Sequence, residues 1–179
     1  EAAAEVLSSA DPYFQIGADV YGFVAPGGSC PPVVTICDDT DDNPIQAALD
    51  KLLDLNSLPD DGKIIVEAGS YKGFEISGFD KDALDGADEL TIEGAEVGDT
   101  PEIWGDIEIH DNDLNIKLKK LLLDGDDVID IYNNNGNLTL EDVEVDGWGY
   151  DECSDAISIK NHTGDVTLDN VTAEDHCYD

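Results

Sequence analysis

The chain has 179 residues and a net charge of -35, from 43 acidic against eight basic side chains; it contains no arginine and no methionine. Such a surface makes nucleic acid and anionic membranes poor partners, and no stretch reads as a membrane span, so no membrane insertion is expected. With 41% apolar residues in a regular pattern the chain is nevertheless predicted to fold.

Residues 1–42 hold a possible short helix at 2–8 and alternating strands at 13–24, closed by Pro26-Gly27-Gly28. They are expected to form a strand and loop extension near a cap, since a separate domain is improbable at this length. A helix is predicted to start at Asn43-Pro44-Ile45-Gln46: Asn43 caps, Pro44 suits the first turn, and Gln46 has capping-box spacing. Ile45, Ala48, Leu49, Leu52 and Leu53 then share one face. A turn at 59–62 and a strand at 63–66 follow, with Phe74-Glu75-Ile76 as the next extended piece.

From residue 105 the chain repeats itself. GDIEIHDNDLNIKL (105–118), DVIDIYNNNGNLTL (127–140) and DAISIKNHTGDVTL (155–168) superimpose at offsets of 22 and 28 residues, and a period of this size marks a solenoid. Ile107/Ile109, Ile129/Ile131 and Ile157/Ile159 alternate as one short strand. Ile116/Leu118, Leu138/Leu140 and Val166/Leu168 form a second, and Leu121/Leu123, Val143/Val145 and Val171/Ala173 a third. Three faces per unit make each unit one coil, with equivalent residues stacked about 4.8 Å apart. Asp111, Asn133 and Asn161 align at the bend after the first strand, where they serve either as turn formers or as a side-chain ladder.

The order IQAALDKL, then DDGKIIVEAGSYKGFEI, then repeated coils resembles the start of the right-handed parallel β-helix proteins of the pectin-lyase-like superfamily, over residues 43–179. The resemblance implies an all-β, right-handed parallel β-helix with an N-terminal capping α-helix in which Ile45, Leu49 and Leu52 plug the first coil. Residues 43–179 would then be a single domain. Its C-terminal end is expected to be open or truncated, because Cys177 lies where a new coil would begin, with no polar cap after it. The superfamily holds lyases, glycosidases, tailspikes and noncatalytic adhesins, so the motif speaks for fold more than for activity.

Four cysteines fall as a near pair, Cys30 and Cys37, and a pair one coil apart, Cys153 and Cys177. Coil spacing suits a disulfide between the second pair, and the even number points to an oxidising, extracellular setting. Asp124, Asp146 and Glu174 occupy equivalent positions, and like charges about 5 Å apart repel by roughly 1 kcal/mol in water and about 3 at a surface-like dielectric. Calcium is the expected counterion, with Asp124, Asp126, Asp127 and Asp146 as ligands; splayed side chains and salt are the simpler alternative.

Catalytic groups are sparse. The resemblance to β-helix lyases implies an arginine or lysine base beside calcium, but arginine is absent, and Lys117, Lys119 and Lys120 are better placed for ion pairs between coils, Lys119 and Lys120 facing Glu141 and Asp142. Paired carboxylates of the glycosidase kind are hinted at only by Asp126-Asp127, and His110, His162 and His176 match no catalytic motif. The sequence is therefore read as an extracellular noncatalytic β-helix serving as stalk, fibre subunit or adhesin, binding carbohydrate or copies of itself. Two alternatives remain: the N-terminal part of a polysaccharide lyase or glycosidase, and a filament subunit joined head to tail.

Overall fold

A computed structural model describes residues 13–17, 20–23, 33–36, 43–54, 62–81, 88–95, 98–124, 129–146 and 155–174, the first three stretches as backbone alone. In chain order the elements are β1 (Tyr13–Gly17), β2 (Val20–Phe23), β3 (Val33–Ile36), α1 (Pro44–Asp54), β4 (Gly62–Val66), β5 (Ser70–Ser77), β6 (Glu89–Gly94), β7 (Glu102–His110), β8 (Asn115–Asp124), β9 (Ile129–Tyr132), β10 (Leu138–Asp146), β11 (Ile157–Lys160), β12 (Val166–Asp169) and β13 (Thr172–Glu174). The described residues are thus mainly β, with one short helix, and the strands join in one large sheet. Every pairing is parallel except that of β1 with β2.

Register follows the sequence repeat. Ile107 pairs with Ile129 and Ile129 with Ile157. Leu118 pairs with Leu140 and Leu140 with Leu168, and Leu123 pairs with Val145 and Val145 with Ala173. A slip of one residue would turn every isoleucine and leucine outward, so apolar burial fixes this alignment. Ile107, Ile129, Leu118 and Leu140 are all completely buried, and each such side chain contributes about 1.5–3 kcal/mol relative to exposure.

The helix behaves as its face predicts. Ile45, Ala48, Leu49 and Leu52 are buried in the same core as the strands. Asn43 caps it, its Oδ1 accepting the Gln46 N–H at 3.2 Å. Gln46 does not complete a capping box. Its side chain instead accepts the Glu75 N–H at 2.7 Å and donates to the Glu75 carbonyl at 3.2 Å, so one amide satisfies both backbone groups of a β5 residue. A strand edge beside a helix needs such a partner, and that need outcompetes the local cap.

The sheet also extends further than the sequence repeat. β3 pairs with β4 and β1 with β3, so part of the first 42 residues continues the same sheet. β6 lies between β4 and β8. Leu90 and Ile92 supply its buried face. The short helix expected at 2–8 and all four cysteines, Cys30, Cys37, Cys153 and Cys177, lie outside the described residues. No helix among the described residues is long and apolar enough to cross a membrane.

Candidate functional site

Two corners of each repeat are built from residues in the left-handed region. Asp111, Asn133 and Asn161 have φ of 54°, 55° and 52°, and Lys120, Asp142 and Asn170 have φ of 52°, 54° and 52°. Asparagine and aspartate tolerate this conformation best, which explains five of the six. The first set forms only a partial ladder. Asn161 Nδ2 reaches Asn133 Oδ1 at 3.4 Å, whereas Asp111 Oδ2 lies 2.9 Å from His110 Nδ1.

The stronger ladder sits one residue later and inside. Asn112 and Asn134 are 1% and 3% exposed. Asn112 Nδ2 donates to the Ile76 carbonyl at 2.9 Å, and its Oδ1 accepts the Phe79 N–H at 2.9 Å. Asn134 Nδ2 donates to the Ile109 carbonyl at 2.7 Å, while its Oδ1 accepts both the Asn112 N–H (3.0 Å) and the Asn112 amide (2.9 Å). Each asparagine thus satisfies backbone groups of the repeat before it. The third position is His162, whose two ring nitrogens are buried without a hydrogen-bond partner, so the ladder stops there.

Around the corner, successive turns interlock. Asn137 N–H donates to Asn115 Oδ1 at 2.8 Å and Asp165 N–H to Asn137 Oδ1 at 3.0 Å. Asn135 Nδ2 donates to Asp113 Oδ1 at 2.5 Å and the Thr163 hydroxyl to Asn135 Oδ1 at 2.9 Å. Gly136 lies between them because its Cβ would fall 2.0 Å from the Leu114 carbonyl oxygen.

Outward charges form columns. Lys119 bonds Glu141 at 2.9 Å and approaches Glu93 at 3.6 Å, Lys117 bonds Glu141 at 2.5 Å, and Lys63 pairs with Glu93. The expected role of Lys117 and Lys119 in pairing between repeats is therefore what their contacts show. Lys120 is at the bend, and with Asp142, Ala95, Gly98 and Thr100 it lines a cleft of about 270 Å³. Among the described residues that cleft brings together a lysine and one carboxylate.

These pairs shift acidities. The Lys117 hydrogen bond, then that of Lys119, holds the Glu141 carboxyl at about 2 against an ordinary 4.5. Burial pushes Glu93 up, but the hydrogen bonds and charges of Lys63 and Lys119 together outweigh it and leave it below the usual range. A carboxyl depressed on folding stabilises above its unfolded value and loses that contribution as pH falls through its folded one. Glu141→Gln is accordingly expected to lower stability at neutral pH and to flatten the loss of stability between pH 4.5 and about 2. Denaturant melts of both proteins across that range check this; parallel curves would refute it.

Of the residues read from sequence as cation ligands, Asp124 and Asp146 are adjacent in register, with Glu174 next. Asp126 and Asp127 lie outside the described residues. Among the described residues no group of three or more histidine, cysteine or acidic side chains is disposed to hold a metal. Asp124 is engaged with Glu102, a link absent from the sequence reading. Glu102 is held below its usual acidity range first by the Ser70 hydroxyl, which donates to it at 3.0 Å, and also by hydrogen bonds with Asp124 and Trp104, against the effect of burial. On the first face His110 stacks on Tyr132 with ring centroids 4.5 Å apart, and its Nε2 lies 3.0 Å from Glu75. No protein-family model, curated protein or solved structure matches this chain.

Proposed function

We propose that the parallel sheet is wound as a right-handed β-helix capped by α1, and that it serves as a rigid, noncatalytic stalk or adhesive surface outside the cell. The observation that carries this reading is the in-register repeat itself. Bend residues, apolar columns and outward charges recur at the same two offsets, and the lysines close ion pairs within that lattice. A tube of this kind buries its core only by stacking and gains length one repeat at a time, as a spacer requires. The even set of cysteines supports the extracellular setting, and flat columns of outward side chains suit carbohydrate or neighbouring chains as ligands.

Calcium is the proposed counterion of the Asp124, Asp146 and Glu174 column. Two carboxyl groups in hydrogen-bond contact, as Asp124 and Glu102 are, keep a proton or a cation between them, and a hard divalent ion suits oxygen donors. The melting temperature of the isolated chain is expected to rise with calcium chloride and not with sodium chloride at equal ionic strength; equal responses reject a specific ion. Turnover of acidic polysaccharides that is lost in Asp126→Asn and Asp127→Asn would overturn the noncatalytic reading.

A further inference from the structure

Lys120 is the one left-handed corner residue that backbone preference does not explain. Asp142 and Asn170 follow it in the same column, also left-handed, and their short polar side chains suit that conformation where the long stem of a lysine does not. A residue kept in a sparsely populated conformation points to a role other than stability.

Its charge is uncompensated as well. Lys63, Lys81, Lys117, Lys119 and Lys160 each pair with a carboxylate, and Lys72 is also engaged. Lys120 has no ion pair among the described residues, in a chain with 43 acidic side chains, although Asp142 comes next in its column, roughly 5 Å along. Asp142 Oδ1 instead accepts from Asn170 Nδ2 at 2.7 Å. Both charges line the cleft of about 270 Å³, with Ala95, Gly98 and Thr100. The backbone beneath it is tightly held. A Cβ on Gly94 would fall 2.2 Å from the Lys120 carbonyl oxygen and 2.8 Å from the Pro101 ring, and the Ala95 N–H donates to the Val66 carbonyl at 2.8 Å. Strands β6, β8, β10 and β12 are described on both sides of this corner, so the cleft belongs to the middle of the sheet.

A cation and an anion held apart on one cleft select a ligand that carries both. A net anion is opposed at long range by the -35 charge of the chain, and a simple cation meets carboxylates all over this surface with no reason to choose this one. A zwitterion escapes both objections. The volume favours a small one, since clefts for drug-sized ligands start at about 300 Å³.

We propose that this cleft binds a compact zwitterion of the amino acid class, its carboxylate taken by the Lys120 ammonium and the Thr100 hydroxyl and its ammonium by the Asp142 carboxylate. This inference goes beyond the stalk reading and does not rest on it.

The probes are glycine, β-alanine and γ-aminobutyrate, whose charges lie progressively further apart, with butyrate and butylamine as singly charged controls. In amide NMR spectra of the full chain, the signals of Ala95, Gly98, Thr100, Lys120 and Asp142 should shift saturably with at least one zwitterion. Lys120→Gln and Asp142→Asn should each weaken that binding roughly tenfold. Lys120→Asn separates a binding role from a structural one: it should lose the ligand yet melt at a higher temperature than the parent chain, because asparagine suits the left-handed corner. A lower melting temperature for Lys120→Asn makes the lysine structural and overturns the proposal. So does the absence of a saturable shift with all three zwitterions, or binding of butyrate or butylamine as tight as that of γ-aminobutyrate, which would leave a site for a single charge.

Discussion

Asn134→Ala is expected to destabilise the protein by about 3–5 kcal/mol, because it strands several buried groups at once. The Asn112 N–H and side-chain amide lose their shared acceptor, and the Ile109 carbonyl loses its donor. Each buried group left without a partner costs about 1–3 kcal/mol, and in a chain of this size the sum lowers the melting temperature by roughly 10 °C. Asn133→Ala is the control. Its side chain is exposed and has a single long bond to Asn161, so the cost reduces to the left-handed backbone, about 1 kcal/mol. Thermal or urea melts of the two variants compare them directly, and equal losses would mean that the inner ladder carries no special weight.

Gly136→Ala should be at least as damaging, by about 3–5 kcal/mol, for a steric reason. Its Cβ would meet the Leu114 carbonyl oxygen at 2.0 Å and the Asn115 nitrogen at 2.8 Å. Both atoms are backbone, so relief requires the two turns to separate. Separation breaks the Asn135 N–H bond to the Asn112 carbonyl and the Ile116 N–H bond to the Asn137 carbonyl, both 2.9 Å. Gly78 supplies the contrast. It has φ of +75° but open space where a Cβ would go, so Gly78→Ala pays only for backbone strain, about 1 kcal/mol. If chemical denaturation ranks the two the other way, close stacking at this corner is not what selects glycine.

The repeat was legible because alternation in an apolar strand and a fixed offset are both local properties of a sequence. Ile107, Ile129 and Ile157 declared their register by spacing alone, and the pairings match it. Asn112 and Asn134 were harder to see. A polar residue beside a bend looks like solvent-facing loop, and its burial follows only from the inward turn of the chain after Asp111 and Asn133. The signal was present as Asp-Asn, Asn-Asn and Asn-His at the repeat offsets. β6 was missed for a different reason: Leu90 and Ile92 alternate, but the loop after them lacks the asparagine pattern that identified the later units. Gln46 shows the reverse failure, in which a local motif was readable and a distant strand edge took the side chain. The link from Glu102 to Asp124 and Ser70 joins separate strands, and nothing in a linear reading brings it together.

The connections between strands place unequal demands on chain length. At the asparagine corner five residues intervene between His110 and Ile116 and between Tyr132 and Leu138, and also between Lys160 and Val166, and interlocking bonds fix that number. In the connection from one repeat to the next, four residues separate Asp124 from Ile129 but ten separate Asp146 from Ile157, while the strands on either side keep their register. Insertions of new sequence, whether by evolution or by design, can therefore enter between Asp146 and Ile157 without changing how the flanking strands pair.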